Sequence, residues 1–135
     1  MKKTQIAVLA VLISFFSAYG MAGVVQPAPV EVDLGNQNAQ GDMVTARFSD
    51  NDVEYIGCGV RTFEGAPSFS FGFCQAGDAD GNEVLCFSQN PDLLDAIKAI
   101  SDYSFITFSW DSGLVCTRIG NSTQSWYIPE LKLKK

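Results

Sequence analysis

Four cysteines in a short chain without histidine are the feature that most restricts how this sequence can fold. Cys58, Cys74, Cys86 and Cys116 lie 16, 12 and 30 positions apart, and none of the 135 residues is histidine. Structural zinc sites are usually built on cysteine pairs two to four residues apart, often completed by histidine. The spacing therefore favours two disulfides over a zinc site, and disulfides persist in oxidising compartments.

The N-terminal segment predicts export to such a compartment. Two lysines precede an apolar run at residues 6–16, and small residues follow it. This order is typical of a secretory signal peptide. As a helix the run would span about 16 Å, whereas the core of a bilayer is about 30 Å thick. We expect a signal peptide at residues 1–22, cleaved after Gly20 or Ala22, and a mature protein in the periplasm or outside the cell.

The charge of the mature chain restricts its partners. The full sequence has 9 basic and 15 acidic residues. Cleavage would remove Lys2 and Lys3, which leaves 7 basic residues and a net charge of −8. A chain this acidic is repelled by nucleic acid and by anionic lipid. We expect no nucleic-acid partner and no membrane anchor after cleavage, and a protein or a glycan as the candidate partner.

Alternating apolar residues and turn signals predict one mostly β domain at residues 43–129. Strands are predicted at 44–48, 53–63, 68–76, 83–87, 104–110 and 114–119, with a further short strand at 125–128. One helix is predicted after the fourth strand, because Asn90 can cap it and Pro91 suits its first turn. We expect an α+β, mostly β fold, an antiparallel meander sheet of about six strands in the order ββββαββ.

Packing and the chain ends complete this prediction. The apolar stripe of the helix is expected to pack on one face of the sheet, against some of the phenylalanines. Residues 23–42 are rich in proline, glycine and amide side chains, which is typical of a flexible linker. Residues 130–135 form a basic tail.

The predicted strands leave the disulfide pairing open. One hairpin register places Cys58 opposite Cys74, and the register of the next hairpin places Cys74 opposite Cys86. Cys74 cannot bond to both. Four cysteines allow three connectivities. We prefer Cys58–Cys74 with Cys86–Cys116, and the other two pairings stay open.

A set of short motifs resembles a known group of sequences. The motifs are Ile-Gly-Cys58, Cys74-Gln-Ala, Cys86-Phe-Ser, the strand Phe-Ile-x-Phe-x-Trp-Asp that ends at Asp111, and Ser-x-Tyr-Ile-Pro129. In these residues the chain is similar to a group of small exported bacterial proteins with four cysteines and unknown function. The resemblance implies export, disulfides and a single β-rich domain, and it carries no activity.

The sequence offers few residues for catalysis. Without histidine it has no Ser–His or Cys–His pair, and bridged cysteines provide no thiolate. Nucleotide-binding motifs are absent, and no cofactor is expected. A hydrolase would need two carboxylates across one cleft. The candidates are Asp50, Asp52, Glu54, Glu64, Asp78, Asp80, Glu83 and Asp111, and most lie at predicted turns, where Asp is common for conformational reasons.

Asp78, Asp80 and Asn82 are a weak candidate for a calcium site. Closely spaced oxygen ligands suit calcium, but the residue order differs from that of an EF-hand. The Asp-Gly pair at positions 80 and 81 also predicts a hairpin turn, which is the preferred interpretation.

Exposed aromatic residues are the remaining candidates for ligand binding. Trp110, Trp126 and Tyr127 could stack on a sugar or anchor a protein partner. The sequence thus predicts a non-enzymatic binding or interaction module. The alternatives are a hydrolase with a carboxylate pair, and an inhibitor of a secreted enzyme that presents the turn at residues 64–67 or 78–82.

Overall fold

Seven strands form two antiparallel sheets in residues 23–129, the part of the chain that the computed structural model describes. The first sheet has the order β1-β2-β6-β7 and consists of β1 (Glu31–Asp33), β2 (Asn38–Asp42), β6 (Phe105–Trp110) and β7 (Cys116–Ser122). The second has the order β3-β4-β5 and consists of β3 (Tyr55–Phe63), β4 (Phe69–Gly77) and β5 (Glu83–Ser88). The mostly β, α+β class is confirmed, with two sheets in place of one meander. The predicted signal peptide and basic tail lie outside the described residues.

Within residues 23–129 two α-helices begin at capping residues. Helix α1 (Met43–Arg47) begins after Asp42, whose carboxylate accepts the N–H of Thr45 at 2.7 Å. Helix α2 (Pro91–Lys98) begins after Asn90, whose side-chain oxygen accepts the first free N–H groups. The predicted helix is confirmed. The strands predicted at 44–48 and 125–128 are wrong, because the first segment is α1, nucleated by its acidic cap, and the second contains a 3₁₀ helix (Ser125–Tyr127).

The linker predicted at residues 23–42 is wrong, because its second half belongs to the first sheet. Strand β2 lies between β1 and β6, and its Ala39 is fully buried opposite Phe108. Asp42 is also buried, and its carboxylate accepts the N–H of Ala28 at 2.7 Å. These contacts fix residues 28–42 against the rest of the domain.

Helix α2 packs on the face of the second sheet that carries small side chains. A Cβ added at Gly72 would lie 2.5 Å from the Cδ1 atom of Ile97 and 3.5 Å from that of Leu94. This close approach requires glycine in the middle of β4. Because side chains alternate along a strand, Phe71 and Phe73 point to the opposite side, away from the helix. The phenylalanine that fills the core is Phe108 of β6.

Three cysteines form one row across the second sheet. Cys74 lies opposite Cys58 of β3 and also opposite Cys86 of β5, so both predicted hairpin registers are present together. The disulfides are Cys58–Cys74 and Cys86–Cys116, which is the preferred pairing. The first bridge lies within the second sheet, whereas the second joins β5 to β7 and so connects the two sheets.

Candidate functional site

The solvent side of the second sheet carries six large apolar side chains, which we call the aromatic face. They are Phe63 of β3, Phe69, Phe71 and Phe73 of β4, and Leu85 and Phe87 of β5. Phe63 is 46% exposed, Phe69 52%, Leu85 40% and Phe87 45%. Contiguous exposed apolar surfaces of this kind are candidates for interaction sites.

The rings of the aromatic face form a continuous row across the three strands. Phe63 stacks on Phe69 with 5.0 Å between ring centroids and 12° between planes. Phe63 also lies 6.0 Å from Phe71, and Phe71 meets Phe87 edge-on at 5.9 Å. Each ring therefore restricts the rotamer of its neighbour, so the surface is largely arranged before any partner binds.

Two glycines on the same side of the sheet let aromatic rings lie flat. The ring of Phe73 covers Gly59, where an added Cβ would be 2.7 Å from its Cζ atom. In the same way the ring of Tyr55 covers Gly77, with its Cε1 atom 2.5 Å from the added Cβ position. The guanidinium of Arg61 lies 5.4 Å from the centroid of Phe73. This cation–π contact adds a positive charge to the aromatic face.

Shallow clefts at the edge of the aromatic face could receive side chains of a partner. One cleft of about 500 Å³ is lined by Phe71, Phe87, Ser88, Gln89 and Val115. Val115 reaches this position because the N–H of Phe87 donates to the carbonyl of Leu114 at 3.0 Å. A second cleft of about 230 Å³ lies between Arg61, Phe71, Phe73, Gln75, Leu85 and Phe87.

The structure does not bring the predicted ligand-binding aromatics together on an exposed surface. Trp110 is buried in the core beside Phe108 and does not have the exposed position that its predicted role in ligand binding requires. Trp126 and Tyr127 are half-buried in the 3₁₀ helix, where Tyr127 stacks on Phe105.

The sequence contains a signal for the aromatic face that was not used when the ligand-binding residues were predicted. Cysteine and phenylalanine alternate along β4, so Cys74 and Phe73 point to opposite sides. Cys74 is fully buried, as a structural disulfide in a small domain commonly is. Placing the cysteines inside would have placed the phenylalanines outside.

Asp78, a residue of the candidate calcium site, holds the loop after β4 through hydrogen bonds. One of its oxygens accepts the N–H groups of Asp80 and Asn82, and the other accepts the N–H of Val32 and the side-chain amide of Asn82, at 2.9–3.3 Å. Burial raises the pKa of Asp78, but these hydrogen bonds together lower the pKa below its usual value. In residues 23–129 no three acidic or cysteine side chains lie close enough to bind a metal ion.

Replacing Asp78 by asparagine should lower the free energy of unfolding by about 2 kcal/mol at pH 6, because the amide nitrogen would face N–H donors. The pKa of Asp78 in the folded protein lies below the unfolded value of about 3.9. The ionised carboxylate therefore stabilises the folded state fully at pH values above about 3.9. Its contribution is lost as the pH falls through the folded pKa. Urea unfolding at pH 6 and near pH 2.5 measures the difference.

Asp80→Asn is the matched control, because Asp80 lies in the same loop and is exposed. It should change the free energy of unfolding little at either pH. An Asp78→Asn variant as stable as the wild type at pH 6 would show that the loop does not depend on this carboxylate.

Two other candidate carboxylates make local contacts in the structure. Asp111 accepts the N–H groups of Gly113 and Val115 and so closes a turn. Glu83 lies beside the hydroxyl of Tyr55, and burial together with this carboxylate raises the pKa of Tyr55. Asp78 and Asp80 line one depression, but a general acid needs a raised pKa, and that of Asp78 is lowered.

A second apolar groove lies on another side of the domain. It has a volume of about 380 Å³ between α1, the start of β3 and the loop before β6, and it is lined in part by Met43, Phe48, Tyr55, Ile56 and Tyr103. Phe48 at its rim is 72% exposed. This groove contains fewer aromatic rings than the aromatic face.

Comparison with known proteins assigns no family to this chain. No family model, curated protein or solved structure matches the chain. The resemblance to small exported four-cysteine proteins therefore stays a prediction. Within residues 23–129 no helix is long and apolar enough to cross a bilayer. The two disulfides indicate an oxidising environment.

Proposed function

We propose that this chain is an exported, non-enzymatic interaction module that binds a protein partner through the aromatic face. The observation that supports this most directly is the exposure of Phe63, Phe69 and Phe87, which ring contacts through Phe71 join into one row on a sheet that two disulfides help to hold. Burying a phenylalanine contributes about 1.5–3 kcal/mol. A partner that covered these rings would gain that free energy without ordering the sheet first.

The orientation of the rings favours a protein partner over a glycan. Sugars stack on free ring faces, but the faces of Phe63 and Phe69 are turned towards one another. This stacked pair therefore turns ring edges to solvent, and the guanidinium of Arg61 lies over the flat ring of Phe73. Ring edges and clefts suit aliphatic and aromatic side chains. Arg61 on the same surface favours a partner with a carboxylate near its apolar residues.

Export is the second part of the proposal. The segment at residues 1–22 has the order of a signal peptide, and two disulfides need an oxidising compartment to persist. Both features support a location in the periplasm or outside the cell. Mass determination of the protein recovered from its host should give a chain that starts at Met21 or Gly23 and is four hydrogens lighter than its reduced form.

Replacing Phe69 and Phe87 by serine should abolish partner binding while the fold is retained, because both side chains are about half exposed. Losing two anchoring aromatics is expected to weaken affinity by about a hundredfold or more. The immobilised wild-type chain and the double variant are compared as baits for proteins of the culture supernatant and periplasm. ANS fluorescence reports the loss of exposed apolar surface in parallel.

Phe48→Ser is the control, since Phe48 is an exposed phenylalanine of the second groove. It should retain the captured protein and most of the ANS signal. Loss of capture in Phe48→Ser but not in the double variant would move the binding site to that groove. A saturable turnover that disappears on mutation of one carboxylate would contradict a non-enzymatic role.

A further inference from the structure

Strand β3 has a free edge in the part of the chain that the structure describes. It pairs with β4 on one side and with no strand on the other. Tyr55 and Ile56, at the beginning of β3, line the second groove together with residues of helix α1. Helix α1 therefore lies beside this end of β3. The free stretch therefore runs over residues 57–63.

The free edge lacks the devices that usually prevent strand pairing. Exposed edges are commonly protected by lysine, proline, a bulge or a very short strand. Strand β3 is nine residues long, contains no lysine or proline and keeps one register with β4 throughout. Its sequence holds one charge, Arg61, in a chain with a formal net charge of −6. The edge is thus a nearly neutral surface on an acidic protein, where a second acidic copy meets little repulsion.

The spacing of the strands shows which backbone groups point to the free edge. The Cα atoms of Cys58 and Cys74 are 4.0 Å apart, which is typical of a pair that exchanges no backbone hydrogen bonds. The N–H and C=O groups of Cys58 therefore point away from β4. By alternation those of Val60 and Thr62 do so as well, and no backbone partner satisfies them within the described residues.

We propose that two copies of this chain pair through antiparallel β3 strands about a two-fold axis at Val60. In this register Val60 faces itself and Cys58 faces Thr62 of the second copy. All three residues point their N–H and C=O groups outward, so the pairing forms about six hydrogen bonds between the copies. The two three-stranded sheets become one six-stranded sheet, and the proposal does not depend on the partner suggested above.

The side chains of β3 fit this register. Phe63 of the second copy would lie opposite Gly57, the one glycine of β3 with nothing within 4 Å of its added Cβ. A glycine directly opposite an aromatic residue occurs twice within the sheet, as Gly59 opposite Phe73 and Gly77 opposite Tyr55. Arg61 leans over Phe73 towards β4 and so leaves the edge clear for the second copy.

The size of the contact predicts a weak dimer. A seven-residue edge with one partly exposed phenylalanine from each copy buries on the order of a few hundred Å² per copy. This area lies below that of a stable permanent interface and within the range of transient ones. Added salt should strengthen the dimer only slightly, because the edge itself is nearly neutral and salt screens just the remaining long-range repulsion between the net charges of the two copies.

Sedimentation velocity of the oxidised protein from about 10 µM to about 1 mM tests the proposal. The wild type should show a reversible monomer–dimer equilibrium. Gly57→Lys should weaken it at least about tenfold, since the lysine occupies the place of Phe63 from the second copy. Thr62→Pro should have a similar effect, because it removes an N–H that points to the free edge.

Two matched variants separate the loss of strand pairing from the effects of an added charge or a changed side chain. Gln75→Lys adds the same charge on the same side of the sheet, directly opposite Gly57 but one strand away from the edge. Thr62→Val changes the side chain and keeps the N–H. Both should dimerise as the wild type does. A chain that is monomeric at every concentration, or dimers that survive both Gly57→Lys and Thr62→Pro, would overturn the proposal.

Discussion

A chain that lacks residues 23–42, so that Met43 follows the signal segment directly, is expected not to fold. The truncation removes β1 and β2 and with them the buried side chains of Val30, Val32 and Ala39. It also leaves β6 paired on one side only, with β7. Two buried valines alone contribute about 3–6 kcal/mol, and the lost strand pairing adds to this, against a typical total of about 5–15 kcal/mol. Circular dichroism should show no cooperative unfolding transition.

A shorter truncation is the control for this experiment. Removing residues 23–26 takes away only exposed side chains and one long backbone hydrogen bond, from Gln26 to the carbonyl of Trp126 at 3.4 Å. This chain should unfold at the same temperature as the full protein. A cooperative transition in the chain that lacks residues 23–42 would restore the interpretation of that segment as a flexible linker.

The sequence of β2 explains why a linker was predicted there. Asn38-Ala-Gln-Gly-Asp42 contains no β-branched or aromatic residue, and such segments have low intrinsic strand propensity. Its conformation is set by its place between β1 and β6. Gly41 is required because a Cβ there would lie 2.9 Å from the Cα atom of Val30. Local pattern cannot reveal a strand that is specified by its neighbours in space.

Period-two alternation predicted most of the other strands but could not decide which side of β4 faces the core. Hydrophobicity alone favours burial of Phe69, Phe71 and Phe73. Helix α2, however, packs closely against the other side of β4. Gly72 allows this because it has no side chain beneath Ile97. The aromatic residues of β4 thus lie on the solvent side, which explains why the candidate site was predicted elsewhere.

Removing the bridge between the sheets, by Cys86→Ala with Cys116→Ala, should lower the free energy of unfolding by about 4 kcal/mol. The bridge closes a loop with a sequence separation of 30, and loop entropy in the unfolded chain grows with that length. The melting temperature should fall by roughly 15 °C. Thermal unfolding followed by circular dichroism measures both quantities.

Cys58→Ala with Cys74→Ala is the matched comparison. This bridge spans 16 positions, so loop entropy predicts a loss of about 3 kcal/mol. It also joins two strands that are already paired over nine positions. Double variants are needed because a single substitution would leave a free thiol next to the row of Cys58, Cys74 and Cys86. A larger loss from this pair than from Cys86–Cys116 would contradict the view that the inter-sheet bridge is the more important one.

Together the two bridges account for about 7 kcal/mol in this estimate, which is comparable to the whole stability of a small domain. A reducing agent should therefore unfold the chain at moderate temperature. The fold therefore depends on the same disulfides that indicate an oxidising compartment. If the sheets separate when the bridges are reduced, the aromatic face is lost as well. A chain that kept its circular dichroism spectrum and its ANS signal after full reduction would contradict both.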